Sequence, residues 1–250
     1  MLSKSTIKYV NSLKQKKFRQ RYCKFTAEGD KIVNEILENS NINIERVFAV
    51  SNWIEENPKL AQIHQVEEVT LNELKKISSL QTPNQILVVL DTFDHKVITK
   101  DINESLSLVL DNIQDPGNLG TIIRIADWFG IPYVFCSKGC VDVYNSKVVQ
   151  SSMGSFLRTK VIYTEIETLF SEYSEVPKYG AILGGQNIFK TTLTQNGFIV
   201  IGNESKGVSS EVKKLLTHHL EIPSYGKAES LNASVATGII CATFRQANDG

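Results

Sequence analysis

The chain has 250 residues, with 27 Lys and Arg balanced against 27 Asp and Glu, 42% hydrophobic and 22% charged. Such a chain can bury one large core or two ordinary ones, and its zero net charge by itself argues against a nucleic-acid partner. No apolar run approaches the roughly 18 to 20 residues of a bilayer span, and Met1-Leu-Ser-Lys-Ser-Thr-Ile-Lys lacks the apolar core of a signal peptide. Cys23, Cys136, Cys140 and Cys241 form no CxxC pair and no Cys/His cluster. A cytoplasmic protein with reduced, buried thiols, no metal and no membrane partner is expected.

Taken in chain order, residues 4–16 place Ile7, Val10 and Leu13, with Lys14 beside them, on one helical face. Residues 1–24 carry eight cations (Lys4, Lys8, Lys14, Lys16, Lys17, Arg19, Arg21 and Lys24) and no acid. This run outweighs the zero net charge, because it can neutralise several phosphates. Tyr22 and Phe25 among the cations add faces on which unpaired bases can stack. A solvated helix face is the plainer alternative. Phe25-Thr-Ala-Glu-Gly leads into a helix from Asp30 with Ile32, Val33, Ile36 and Leu37 on its apolar stripe. Val47–Val50 predicts a strand, Trp53–Asn57 a short helix and Gln65–Val69 another strand. Leu71–Leu80 predicts a helix capped by Thr70 with Glu73 three residues on, and Gln85–Leu90 a buried strand. Alternating strands and helices over residues 1–92 predict a small three-layer α/β domain, followed by a polar linker over 93–105.

Residues 106–250 again alternate. Strands are predicted at Ser107–Asp111, Tyr133–Cys136, Lys160–Tyr163, Tyr179–Gly185, Phe198–Gly202 and His219–Pro223. Helices are predicted at Asn118–Phe129, Asn145–Met153, Ile166–Tyr173, Ser209–Leu216 and Asn232–Gln246. Continuous rather than alternating apolar runs indicate strands covered on both faces, hence a parallel sheet.

Three segments couple such a strand to a loop rich in Gly, Asn, Ser and Pro. In the first, Asn112, Gln114 and Asp115 follow a strand end, where open α/β sheets place ligands. Asn118-Leu-Gly-Thr121 then opens a helix that carries Arg124, whose planar fork suits phosphate. A structural turn with a surface arginine accounts for the same residues. The second, Gly202-Asn-Glu-Ser-Lys-Gly207, lacks the order of a Walker loop; its glycines let backbone approach a ligand, and Glu204 is either a surface acid of the loop or a polar group that the strand delivers to the presumed cleft. In the third, Ile222-Pro-Ser-Tyr-Gly precedes Ser230-Leu-Asn-Ala-Ser. Ser230 or Asn232 can cap the last helix, and the small residues after it can mark close packing in a dimer interface.

Together the three segments resemble the signature motifs of the SpoU/TrmH family of RNA ribose 2'-O-methyltransferases, within the knotted SPOUT superfamily. Lys16-Lys-Phe-Arg and Phe25-Thr-Ala-Glu-Gly extend the likeness more loosely to the N-terminal part, as a ribosomal-protein-like substrate-binding domain. The resemblance implies a trefoil knot in the C-terminal domain, which periodicity cannot reveal, and a homodimer through that domain. It also implies S-adenosyl-L-methionine held by Gly202, Ile222 and Leu231, with Gly184 in a further loop nearby. Arg124, Asn112, Glu204, Ser230 and Asn232 would surround the ribose and the transferred methyl. Lys16, Lys17, Arg19, Arg21 and Arg124 would meet RNA. An ordinary guanidinium is protonated at neutral pH, so Arg124 is expected to act as a phosphate clamp rather than a base. Ribosomal RNA is the expected substrate. Transfer RNA and a catalytically silent assembly factor are the alternatives.

Overall fold

The computed structural model describes residues 1–247. The chain divides into two compact units: Met1–Asp94 with Tyr144–Gly154, and His95–Val143 with the chain from Ser155 onward.

In the first unit the order is α1 (Lys4–Ser12), α2 (Lys16–Tyr22), β1 (Lys24–Glu28), α3 (Asp30–Glu38), β2 (Ile44–Ala49), α4 (Ser51–Glu56), α5 (Pro58–Ile63), β3 (Glu67–Glu68), α6 (Leu71–Ile77) and β4 (Ile86–Asp91). The sheet runs β1-β4-β2-β3, with β4 antiparallel to both β1 and β2, and β3 parallel to β2. Its central strand, β4, is buried from Ile86 to Leu90. Alternate residues Leu87 and Val89 pack with Val10 of α1 and Leu13 at its end and with Leu74 and Ile77 of α6, while α3 contacts β1 and β4. Residues 4–16, expected as one helix, break at Leu13, and the basic run resumes as α2. The helix from Leu71 has the expected capping box: the Thr70 hydroxyl accepts from Glu73 N–H, and the Glu73 carboxylate accepts from Thr70. Those bonds from Thr70, reinforced by Leu2 N–H, hold the Glu73 carboxyl down to about 2.

The second unit comprises α7 (Thr99–Glu104), β5 (Leu106–Leu110), α8 (Pro116–Trp128), β6 (Tyr133–Cys136), β7 (Lys160–Tyr163), α10 (Ile166–Glu172), β8 (Lys178–Asn187), β9 (Gly197–Ile201), α11 (Ser210–Lys213), β10 (His218–Glu221) and α12 (Ala233–Gln246). The intervening α9 (Ser146–Ser152) belongs to the first unit. All six strands are parallel, in the order β10-β8-β9-β5-β6-β7, as the continuous buried runs of β5, β6 and β9 predict. The stretch expected as a polar linker contains α7, whose Ile102 is buried in the same core as Val109, Phe135 and Phe198. Between β8 and β10 the register jumps: Gly180 pairs with His219, then Gln186 with Leu220, so residues 181–185 loop out of the ladder. Helices α8 and α12 pack together. Arg245 of α12 donates to the carbonyls of Phe129 and Gly130 at 2.8 and 3.2 Å, satisfying the C-terminal end of α8.

Candidate active site

A parallel sheet delivers all its carboxyl ends to one edge, and here three of those ends are cross-linked. At the end of β5, Asp111 is buried, yet its carboxylate is satisfied: Oδ2 accepts from Ser209 N–H at 2.7 Å and Oδ1 from Asn112 Nδ2 at 2.7 Å. Its own N–H donates to Ile201 of β9. Asn112 follows with φ +59°, in the left-handed region that Asn tolerates better than most residues. Its N–H donates to Ser137 Oγ at 3.0 Å, and its carbonyl accepts from Asn203 Nδ2 at 2.8 Å. Gly139 lies flat against its amide, where a Cβ would come 1.8 Å from Asn112 Oδ1. Behind this loop the Cys140 thiol donates to Leu110 O at 3.2 Å. Cys136 and Cys140 are free and buried, and the Cys140 sulfur together with burial pushes the Cys136 thiol up, so it stays protonated.

After β9, Gly202–Gly207 forms a tight turn closed by reciprocal Asn203–Gly207 hydrogen bonds of 3.0 and 2.8 Å. The Asn203 side chain accepts from Ser205 and Lys206 N–H. The turn folds back so closely that a Cβ on Gly202 would lie 2.1 Å from Gly207 C and Val208 N; any other residue there must push the backbone apart. Glu204 projects from this turn, and its Oε1 accepts from Asn118 Nδ2 at 2.8 Å. Because a carboxylate only accepts, this bond sets the Asn118 amide, leaving its Oδ1 to accept from Asn232 Nδ2 at 2.9 Å. Asn232 Oδ1 in turn accepts from Ser234 N–H, Ser234 Oγ and Val235 N–H, capping α12. One directional row of polar groups therefore ties together all three sequence segments. Asn118 itself is held by the N-cap of α8, its N–H donating to Asp115 Oδ1.

Against this row lies a cavity of about 670 Å³, lined among others by Gly202, Glu204, Ile222, Ser230 and Leu231, with Leu183 and Tyr225 at its wall. Its volume is in the range of small-molecule sites. The wall from 223 to 231 makes no backbone–backbone hydrogen bond among the described residues, which leaves its amides and carbonyls for a ligand or solvent. Five of the sequence-predicted residues thus share one pocket. Asn112 and Asn232 adjoin it only through their hydrogen bonds. Arg124 is exposed on α8 and Gly184 (φ +77°) sits one residue beyond Leu183; neither lines the cavity. Sequence reasoning gives Asn118 no role beyond opening a helix. The available signal is its place at N3 after Asp115-Pro116, where a side chain points to the strand-end edge.

In the first unit, Lys16, Lys17 and Arg21 are exposed as expected, but Arg19 is not. It is 3% exposed, and its guanidinium donates to Leu13 O and Lys14 O, both at 2.9 Å, holding the break between α1 and α2. Lys24 is paired with Asp91 and Glu45. Counting charges along the chain cannot separate these, since burial depends on which side of a short helix faces the sheet.

A model of the SpoU rRNA methylase family matches residues 105–242, and one of an MRM3-like substrate binding domain matches residues 4–88. The chain belongs to the SpoU rRNA methylase family. It is 29% identical over 238 residues to the 23S rRNA (guanosine(2553)-2'-O)-methyltransferase RlmP of Bacillus subtilis, covering 94% of this chain and 93% of that protein. It is 33% identical over 162 residues to the mitochondrial rRNA methyltransferase 3 of Xenopus laevis, covering 62% and 38% of the two chains. Among solved structures, a TrmH-family protein from Porphyromonas gingivalis superposes with TM-score 0.85 at 36% identity, over 98% of this chain and 99% of that one. An AdoMet-bound rRNA methyltransferase from Sinorhizobium meliloti does so with TM-score 0.85 at 25% identity, over 98% and 96%.

Proposed function

We propose that this protein transfers a methyl group from S-adenosylmethionine to a ribose 2'-hydroxyl of ribosomal RNA. The observation that carries the reading is the Glu204–Asn118–Asn232 row at the edge of a cavity lined by both backbone and apolar side chains. The cavity fits the donor: Ile222, Leu231 and Leu183 offer apolar surface to an adenosyl group, and the unbonded backbone of 223–231 offers donors and acceptors to its polar edges. When bound, the sulfonium supplies the methyl and leaves as a neutral thioether. Gly202, Ile222 and Leu231 hold it, with Gly184 supporting the looped-out segment beside it. Glu204, Ser230 and Asn232 face the ribose, and Asn118 keeps Glu204 and Asn232 in register. Asn112 acts as a positioning residue through its backbone bonds to Ser137 and Asn203. Arg124, exposed on α8 and outside its own chain's cavity, clamps the RNA phosphate and would stabilise developing oxyanion charge at the neighbouring site of the homodimer, the proton leaving late to water or a phosphate oxygen.

Ribosomal RNA is favoured over transfer RNA by the rRNA substrates named for the Bacillus and Xenopus proteins. The substrate-binding domain read over residues 1–92 falls within the first unit and would bind that RNA, and the transferase domain read over 106–250, less the Tyr144–Gly154 stretch that belongs to the first unit, would carry a trefoil knot. The working form proposed is a cytoplasmic homodimer through the second unit. No described helix is long and apolar enough to cross a membrane. The test is to incubate the purified chain with methyl-labelled S-adenosylmethionine and ribosomal or transfer RNA, digest to nucleosides, and look for 2'-O-methyl products. Label in ribosomal RNA supports the proposal. Label only in transfer RNA overturns the substrate, and no cofactor binding by calorimetry overturns the reaction in favour of a silent assembly factor.

A further inference from the structure

Helix α2 reads Lys16-Lys-Phe-Arg-Gln-Arg-Tyr22. Residues four apart on a helix stack along one side, so Phe18 and Tyr22 form one ridge, and Lys17 and Arg21 form the ridge beside it. The side chains follow this geometry: the Phe18 and Tyr22 rings stack at 6.2 Å with planes 12° apart, and Tyr9 of α1 meets Tyr22 edge-on at 5.5 Å. Lys17 Nζ lies 4.9 Å from the Phe18 centroid and the Arg21 guanidinium 5.8 Å from that of Tyr22. Tyr22 nevertheless keeps 40% of its surface exposed. Among the described residues no acid pairs with Lys16, Lys17 or Arg21, whereas Arg19 on the opposite side is buried and Lys24 is spent on Asp91 and Glu45. The pair of stacked rings, Phe18 half-buried and Tyr22 exposed, carries on one flank two cations with no acid partner among the described residues. It matches what single-stranded nucleic acid needs: flat faces for bases and cations for the backbone between them.

We infer that this face of α2 is a stacking platform for unpaired RNA bases, with Tyr22 and Phe18 taking bases and Lys17 and Arg21 taking the intervening phosphates. The inference rests on the RNA-methylation reading and deepens it, by stating that the first unit takes hold of unpaired rather than duplex RNA. Arg21 has two positions open to it: over the Tyr22 face in the free protein, and on a phosphate when a base occupies that face. A duplex offers phosphates but no free base faces, so it should use the cations alone.

The experiment measures, in the full chain without cofactor, the affinity for a fluorescent oligoadenylate about 12 nucleotides long and for an RNA duplex of the same length. Tyr22→Ala should weaken oligoadenylate about tenfold and leave the duplex unchanged, while Tyr22→Phe restores the wild-type value. Replacing Lys17 and Arg21 with Gln should weaken both and flatten the single-strand slope of log K against log salt by roughly 1.4. Unchanged oligoadenylate binding in Tyr22→Ala, or equal loss for duplex and single strand, overturns the platform. Should Tyr22→Ala lower the melting temperature, Tyr22→Trp decides instead: oligoadenylate must quench its emission, and no quenching overturns the inference. Methyl transfer to ribosomal RNA by the wild-type protein is assayed separately, so the platform can fail while the transfer reading stands, and the reverse.

Discussion

The two units are built from the same parts and solve different problems. In the first, a mixed sheet sends strand ends to both edges, and its polar termini are closed by bonds such as the Thr70–Glu73 capping box and the cross-strand Lys24–Asp91 pair. What it would offer RNA, on the inference above, is the flank of a short helix. In the second, six parallel strands bring β5, β9 and β10 to the same edge, so residues far apart in sequence meet without any one loop being long. Strand direction thus decides where a site can form. A pocket needs several chain segments ending together, whereas a stacking face needs only one helix with the right period.

The largest effect that would test this contrast is at the turn after β9. Gly202→Ala forces a methyl into backbone 2.1 Å away and should cost about 3 kcal/mol by thermal denaturation and abolish cofactor binding by calorimetry. Gly226→Ala, in the 223–231 stretch beside the cavity but not lining it and with nothing within 4 Å of its Cβ, should change neither. Equal outcomes would show that the cavity wall is not held by close backbone packing.

Next comes the polar row. Asn118→Ala leaves Glu204 and Asn232 without their shared partner and should cut turnover about 100-fold through misplacement alone, with cofactor affinity little changed. Asn118→Asp sets a second carboxylate against Glu204. Like charges raise the protonation of one of them, so turnover relative to wild type should rise as pH falls and a proton restores the bond. A ratio that does not move with pH would place the row outside the reacting geometry.

Within the first unit, Arg19 and Arg21 separate support from contact. Arg19→Ala should destabilise the fold by about 1 to 3 kcal/mol, because two carbonyls lose a charged donor. Arg21→Ala should leave the melting temperature alone and weaken only RNA binding. The reverse pattern would overturn the assignment.

The smallest effect is at Glu73. Its carboxyl lies at about 2, below the ordinary 4.5, chiefly through the Thr70 backbone bond. A depressed folded-state value contributes stability above about pH 4.5 that is lost as pH falls toward 2. The stability difference between wild type and Glu73→Gln should therefore shrink over that window; a difference constant with pH would mean the charge contributes nothing.

Much of this architecture is legible from period and punctuation. The strands Tyr133–Cys136 and Lys160–Tyr163 have the predicted bounds, and Asn145 and Asn232 cap the helices that follow them. Helix α5 escapes a sequence reading because it buries no residue and so carries no apolar stripe. The strand expected over Gln65–Val69 shrinks to Glu67–Glu68 because only that piece finds a partner, in β2. Helix α7 is hidden inside a polar stretch whose one informative residue, Ile102, packs into the second core.

Sequence alone determined the α/β class, the parallel sheet and the chemistry available in each of the three segments, because apolar period and cap residues act over a few neighbouring positions. Tertiary structure alone decided that Asn118, and not Asn112, offers its amide to Glu204 and Asn232, and that Arg19 supports the fold while Arg21 faces solvent. Those partners lie 86 and 114 residues from Asn118. The direction of a hydrogen bond depends on where its distant partner stands, and no local pattern in the chain records that position.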